Sequence, residues 1–200
     1  MVILYEVHEN LYVNMTNRCP CACVFCLRQT RDEMNHSGSL WLEREPSVEE
    51  VIAEFARFDM SKYQELVFCG FGEPTERLED LLKVAAYVKE NFSLPIRLNT
   101  NGLSDLLYGK DTAPMYAGLI DTISISLNTP DKEEYLKLTR SKFGIGSHEA
   151  MLRFAGNVSH YVPNVILSTV ATTITPEEEK RCQEICDGLG VTYRIRPFED

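Results

Sequence analysis

Short apolar or β-branched runs alternate with longer amphipathic stretches along the whole chain. Leu11–Met15, Leu66–Cys69, Ile96–Asn99, Ile123–Leu127, Val165–Ala171 and Val191–Ile195 each read as a strand bounded by turn residues. Val2–Val7 precedes the first of them. It is expected to pair with that strand as a hairpin across His8-Glu9-Asn10.

The gaps carry helical spacing. Val48, Val51, Ile52, Phe55 and Phe58 make one apolar face, opened by Ser47 and Glu50 as a capping box. Leu78, Leu81, Leu82, Ala85, Val88 and Phe92 make the next. Thr129-Pro130 predicts a third helix near Tyr135 and Leu138, with Pro at its first position. Thr175-Pro176-Glu177-Glu178 opens a fourth, with Cys182, Ile185, Cys186 and Leu189 facing inward. Strands alternating with helices imply a parallel sheet with right-handed crossovers. Six core strands fall short of the eight in a complete barrel, which takes roughly 250 residues. The expected fold is α/β: a partial (β/α)6 TIM-type barrel with a short N-terminal β-hairpin, spanning residues 1–200 as one domain. An open doubly wound sheet is the alternative. In both, an active site lies at the C-terminal ends of the strands.

Those ends carry the candidate chemistry. After the first strand comes Cys19-Pro20-Cys21-Ala22-Cys23-Val24-Phe25-Cys26. The chain has 7 cysteines, an odd number, with four in this one loop. A disulfide framework would spread them out and need an oxidising compartment. Cys19, Cys23 and Cys26 stand at C-x-x-x-C-x-x-C. Three thiolates suit an iron–sulfur cubane and leave its fourth iron open, as a catalytic metal site requires. Registers through Cys21 give shorter first spacings, so Cys21 is left out. Half of a zinc site is the alternative.

Gly70-Phe71-Gly72-Glu73-Pro74 ends the second strand. Glycines let a ligand approach the backbone, and a carboxylate accepts from an ammonium group. The bland reading is a Gly-Pro turn before a helix. Asn99-Thr100-Asn101-Gly102 ends the third strand and Ser126-Leu127-Asn128 the fourth. Each alone reads equally as a turn or cap. Their recurrence suits a ligand with hydroxyls, a carboxylate and an amine.

The three-cysteine loop, with the aromatic Phe25 before its last cysteine, resembles that of radical S-adenosylmethionine (SAM) enzymes. Gly70 to Pro74 is similar to the family's GGEP motif, with Phe71 in place of the second glycine. The two motifs occur in the family's order. The resemblance implies a 4Fe–4S cluster on Cys19, Cys23 and Cys26 that reductively cleaves SAM to a 5′-deoxyadenosyl radical, which abstracts hydrogen from a substrate. It implies that Gly70, Phe71, Gly72, Glu73 and Pro74 meet the SAM amino group. By the same resemblance Asn99, Asn101, Ser126 and Asn128 are candidates for the ribose and carboxylate, and Phe25 for adenine. Leu167 to Ala171 should lie near adenine but lacks the family's glycine pattern. The resemblance also implies an external one-electron reductant of flavodoxin or ferredoxin type. Asn14–Cys19 and Leu40–Pro46 resemble a subgroup named for association with the TatD family of nucleases. An electron carrier and a zinc-binding interaction module remain alternatives.

Composition narrows the setting. A formal net charge of -10 gives no general attraction to nucleic acid or an anionic membrane. No stretch approaches the roughly 20 apolar residues of a membrane span. The N-terminus lacks a basic region and cleavage site, so the expected location is cytoplasmic. Leu27–Pro46 is long for a connection after a strand, where 2–6 residues is usual. It carries Arg28, Arg31, His36 and Trp41. Arg28 and Arg31 are candidates for holding an unidentified, anionic or planar substrate under a lid. The bland reading is a partly helical surface segment. Cys69, Cys182 and Cys186 read as small buried hydrophobes.

Overall fold

The structure, a computed structural model, describes residues Met1–Phe198. The chain divides into two compact units. The first comprises Met1–Cys19, Cys26–Asn99 and Gly118–Asp121; the second comprises Pro20–Phe25, Thr100–Ala117 and the chain from Thr122 onward.

In the first unit, β1 (Leu4–Val7) and β2 (Asn10–Val13) pair antiparallel, with Val7 opposite Asn10. His8, at φ 53, turns the hairpin. Strand β2 pairs parallel with β3 (Glu65–Phe68), and β3 with β4 (Ile96–Thr100). Strand period two puts Leu11, Val13, Leu66, Phe68, Ile96 and Leu98 on one face, and none exceeds 1% exposure. The register aligns Tyr12, Val67 and Arg97 on the other face, with Asn99 two residues further along β4. Helix α1 (Val48–Glu54) begins at the expected capping box of Ser47 and Glu50. It packs on α2 (Leu78–Asn91), whose buried side is Leu78, Leu81, Val84, Ala85 and Val88. Val84 takes the inward place assigned above to Leu82.

In the second unit, β5 (Thr122–Ser126), β6 (Asn164–Val170) and β7 (Thr192–Arg196) run parallel, with Ser126 beside Ser168 and Ser168 beside Arg194. Helix α3 (Ser104–Tyr108) follows β4. Helix α4 (Lys132–Thr139) starts two residues later than the sequence suggests. Asp131 is its N-cap, accepting from the Glu133 and Glu134 amides, so Pro130 stays outside the helix. Helix α5 (Ser147–Val158) was not expected; its inward face is Ala150, Met151, Phe154, Ala155 and Val158. Helix α6 (Pro176–Leu189) opens with a Thr175–Glu178 capping box and Pro at the first turn. Among the described residues no helix is long and apolar enough to cross a membrane.

Candidate active site

The Gly70–Pro74 turn is built against the segment that enters the cysteine loop. A Cβ on Gly72 would lie 2.2 Å from the Thr16 carbonyl oxygen and 2.6 Å from that of Arg18. A Cβ on Gly70 would lie 2.2 Å from Asn14 Oδ1. The sequence reading gave these glycines to an approaching ligand; here the close approach is made by the chain itself. The Glu73 amide donates to the Arg18 carbonyl at 2.8 Å. The Glu73 carboxylate is 4% exposed, and its Oε1 accepts from the Thr75 amide at 3.2 Å and hydroxyl at 2.8 Å. It therefore caps the 3-10 turn Pro74–Arg77. A carboxylate accepts about four hydrogen bonds, so capping is compatible with a further donor. Phe71 packs with Tyr5 and Leu40, and Trp41 meets its ring edge-on at 5.2 Å.

The segment before Cys19 is tied in from other sides too. Asn14 donates to the carbonyls of Val2 and Leu40. The Thr16 hydroxyl and the Arg18 guanidinium both donate to Glu45 Oε1, at 2.5 and 2.7 Å. Burial alone would raise the Glu45 pKa, but these donors, with Arg77 nearby, hold it below the ordinary carboxylate value. The Arg77 guanidinium reaches the carbonyls of Met15 and Pro46.

Within the second unit the cysteine loop is anchored by its backbone. The amides of Ala22 and Val24 donate to the carbonyls of Thr139 and Leu138, the end of α4, both at 2.9 Å. The Pro20 carbonyl accepts from the Lys142 amide at 2.9 Å. Thus the loop uses carbonyls that a helix C-terminus leaves without intrahelical partners. Side chains differ in their surroundings. Val24 and Phe25 are 46% and 47% exposed. Cys21 is buried, and the Asn101 amide donates to its sulfur at 3.9 Å. Cys19, Cys23 and Cys26 are half-buried thiols outside disulfides. Among the described residues no three His, Cys, Asp or Glu side chains gather at metal-holding distance. The fit to a cluster lies in the donor chemistry: three half-buried soft thiols, with the fourth buried. Each sulfur sits one χ1 torsion from the backbone and moves with a rotamer change.

The strand-end residues divide by role. Asn101 uses its Oδ1 to accept from the Leu103 amide at 3.0 Å, an Asx turn that spans Gly102. Gly102, at φ 73, leaves no room for a side chain beside Ile125 and Met151. Asn128 stands in the left-handed region at φ 64, which Asn tolerates better than most residues. Its amide donates to the Ser168 carbonyl at 3.2 Å, next to the Leu127 amide on the same oxygen at 2.9 Å. Ser126 is half-buried at the end of β5. In the first unit, Asn99 is half-buried and its Oδ1 accepts from Arg97 Nη1 at 3.0 Å.

Leu27–Pro46 lies within the first unit and holds a single 3-10 turn, Leu27–Gln29. Leu40 and Leu42 are buried, and Asn17 donates to the Leu42 carbonyl while accepting from its amide. Trp41 donates to Asp32. Arg28 reaches the carbonyls of Asn17 and Phe71, at 3.3 and 3.4 Å, so it braces the entry segment against the glycine turn. Arg31 is half-buried. His36 is exposed, at φ 61.

Cys182 and Cys186 are fully buried on α6, and burial pushes their thiols up to about 11 and about 12. They are inert packing groups. Sequence reasoning missed Arg97, whose alternation with Ile96 and Leu98 was the available sign that it leaves the apolar face. It also missed the carbonyls at the end of α4, because backbone acceptors leave no residue signature.

The family model described as the Radical SAM superfamily matches residues 13–187. A GTP 3′,8-cyclase of Corynebacterium glutamicum is 31% identical over 142 residues, 68% of this chain and 35% of that protein. Molybdenum cofactor biosynthesis protein 1 of Drosophila melanogaster is 26% identical over 136 residues, 68% of this chain and 22% of its own length. The chain thus spans about a third or less of these curated relatives. SuiB of Streptococcus suis, in a structure bound to S-adenosylmethionine, superposes at TM-score 0.67 with 13% identity, over 94% of this chain and 40% of that one. A radical SAM methyltransferase of Sphaerobacter thermophilus superposes at TM-score 0.61 with 15% identity, over 98% of this chain and 69% of that one. These likenesses show the fold: α/β and mostly parallel, the partial barrel of radical SAM structures. A family match that runs from the end of β2 through most of α6 settles the kinship: this chain belongs to the radical SAM superfamily.

Proposed function

We propose that Cys19, Cys23 and Cys26 hold a 4Fe–4S cluster and that the chain cleaves SAM reductively on it. When bound, such a cluster supplies one electron to the SAM sulfonium, breaking the C5′–S bond and giving a 5′-deoxyadenosyl radical that takes hydrogen from a substrate. The observation that carries the reading is the division inside one eight-residue loop. The thiols at C-x-x-x-C-x-x-C are half-buried, while Cys21 is buried. The chain's own residues then bind and orient. Glu73 receives the SAM ammonium, since a buried carboxylate is an acceptor-only group suited to a cation. Phe25 offers a half-exposed ring to adenine. Asn99, Asn101, Ser126 and Asn128 serve the ribose and carboxylate. Arg31 is the substrate-side candidate, with Arg28 bracing the backbone beside it. A flavodoxin or ferredoxin supplies the electron.

Anaerobic reconstitution tests this. The expected result is about four irons per chain, as a cubane requires, and reductant-dependent release of 5′-deoxyadenosine from SAM. Cys19→Ala, Cys23→Ala and Cys26→Ala should each lose both, and Cys21→Ala should keep both. Iron without SAM cleavage would reassign the loop to an electron carrier. Zinc without iron would make it a zinc-binding module. The name of the relatives makes GTP the first compound to add, with stimulated 5′-deoxyadenosine release as the readout.

A further inference from the structure

Arg97 lies on β4 within the first unit, one residue out of phase with the buried Ile96 and Leu98. A half-buried charge on a strand needs a partner. Glu65, on the adjacent β3, provides it: its Oε1 accepts from Arg97 Nε at 2.9 Å and Nη2 at 2.7 Å. The pair is 16% and 25% exposed at the side chains. Glu65 thereby fixes the plane of the guanidinium and neutralises it. The remaining Nη1 points along β4 to Asn99 Oδ1 at 3.0 Å.

That contact determines which way the Asn99 amide faces. Guanidinium nitrogens only donate, so the Asn99 atom facing Arg97 must be its oxygen. The NH2 group is then turned away from Arg97 as a pair of donors. A donor cannot serve an ammonium; it serves a carboxylate or hydroxyl oxygen. Resting on the SAM site proposed above, we infer that Arg97 and Glu65 are positioning residues that hold Asn99 as a fixed hydrogen-bond donor to an oxygen of bound SAM. Glu73 of the same unit, an acceptor, takes the opposite end of the amino-acid group. The Glu65–Arg97 pair presents no net charge, so it orients the amide without attracting anions itself.

Equilibrium binding of SAM to the cluster-loaded protein tests the inference. Asn99→Asp is the discriminating variant. It keeps an oxygen on Arg97 and the size of the side chain, yet replaces the NH2 donor with an acceptor. SAM affinity should fall at least about tenfold, the scale of a hydrogen bond to a charged group. Melting temperature and iron content should hold. The Glu65→Met, Arg97→Met double variant removes both half-buried charges together, so neither is left unpaired. It frees the Asn99 amide and should weaken SAM by a similar factor. Adding Asn99→Ala to it should cause little further loss, because the sites act as one unit. Wild-type SAM affinity in Asn99→Asp, or in a folded Glu65→Met, Arg97→Met protein, overturns the inference while leaving the SAM site intact. A wild-type protein that takes up cluster but no SAM overturns the site and the inference together.

Discussion

The Gly70–Pro74 turn and the Pro20–Phe25 loop differ in what holds them. The turn is held by contact. Gly72 lies so close to the Thr16 and Arg18 carbonyls that no Cβ fits, and Phe71, Glu73, Pro74 and Thr75 are all buried. Backbone hydrogen bonds to the end of α4 and to Lys142 hold the loop, together with the buried Cys21, and Val24 and Phe25 stand outside the core. Side chains in the turn are thus fixed by packing, whereas Cys23, Val24 and Phe25 of the loop stay partly or largely exposed. A motif can serve the same proposed ligand either by shaping the backbone around it or by leaving its side chains accessible.

The largest effect should follow from breaking the turn. Gly72→Ala puts a methyl against two backbone oxygens that side-chain rotation cannot move. Urea denaturation of cluster-free protein should show a loss of more than about 3 kcal/mol, the upper end for overpacking. The same measurement on Cys23→Ala should show about 1 kcal/mol or less, since a half-buried thiol contributes little packing. Cys23→Ala should lose iron instead. Equal destabilisation by the two variants would erase the contrast between turn and loop.

The same contrast explains what could be read from sequence. Strands and most helices were legible because apolar periodicity and capping residues are local: Ser47 with Glu50 and Thr175 with Glu178 cap where expected. Helix α5 was missed although Met151, Phe154, Ala155 and Val158 follow helical spacing. Its start has no side-chain cap, and the Gly144-Ile145-Gly146 stretch before it reads as a loop. Spacing made the cysteine loop legible, but its anchor on the Leu138 and Thr139 carbonyls was not, because any residue carries a carbonyl. The glycines of the turn were legible as glycines. What required them, the Asn14–Arg18 segment, lies far away in sequence and was not.

Glu73 sharpens the comparison at an intermediate magnitude, because its side chain both caps a turn and serves the proposed ligand. Glu73→Gln keeps an oxygen for Thr75 and removes the charge. It should weaken SAM binding by about 1.5–3 kcal/mol, the range for charge-assisted hydrogen bonds, with little change in melting temperature. Glu73→Ala should weaken SAM similarly and also cost about 0.5–2 kcal/mol of stability through the lost cap. Calorimetric titration and thermal melts separate the two. A Gln variant with unchanged SAM affinity would leave Glu73 as a capping residue and the turn as a turn.

The smallest effect concerns the anchor of the loop. His148 on α5 is 6% exposed and meets Tyr135 of α4 edge-on at 5.2 Å. Its Nε2 faces the Thr129 carbonyl at 3.2 Å, and a carbonyl only accepts, so Nε2 carries the proton in the neutral ring. Desolvation by burial lowers its pKa from the ordinary 6.5, against smaller opposing effects of Thr129, Asp131 and Glu133. The unfolded chain therefore binds more protons than the folded one between the lowered value and 6.5. Stability is complete above that window and falls as pH drops through it. Below the native pKa both states are protonated and the loss levels off. The cost is expected to fall on the α4–α5 contact, and so on the carbonyls that hold Ala22 and Val24. His148→Gln keeps an N–H for Thr129 and removes the titration. Between pH 7.5 and 5.5 the wild type should lose more melting temperature than this variant. Hydrogen exchange at the Ala22 and Val24 amides should quicken in the wild type alone. Parallel pH profiles in the two proteins would separate His148 from the loop and leave the anchor to the backbone by itself.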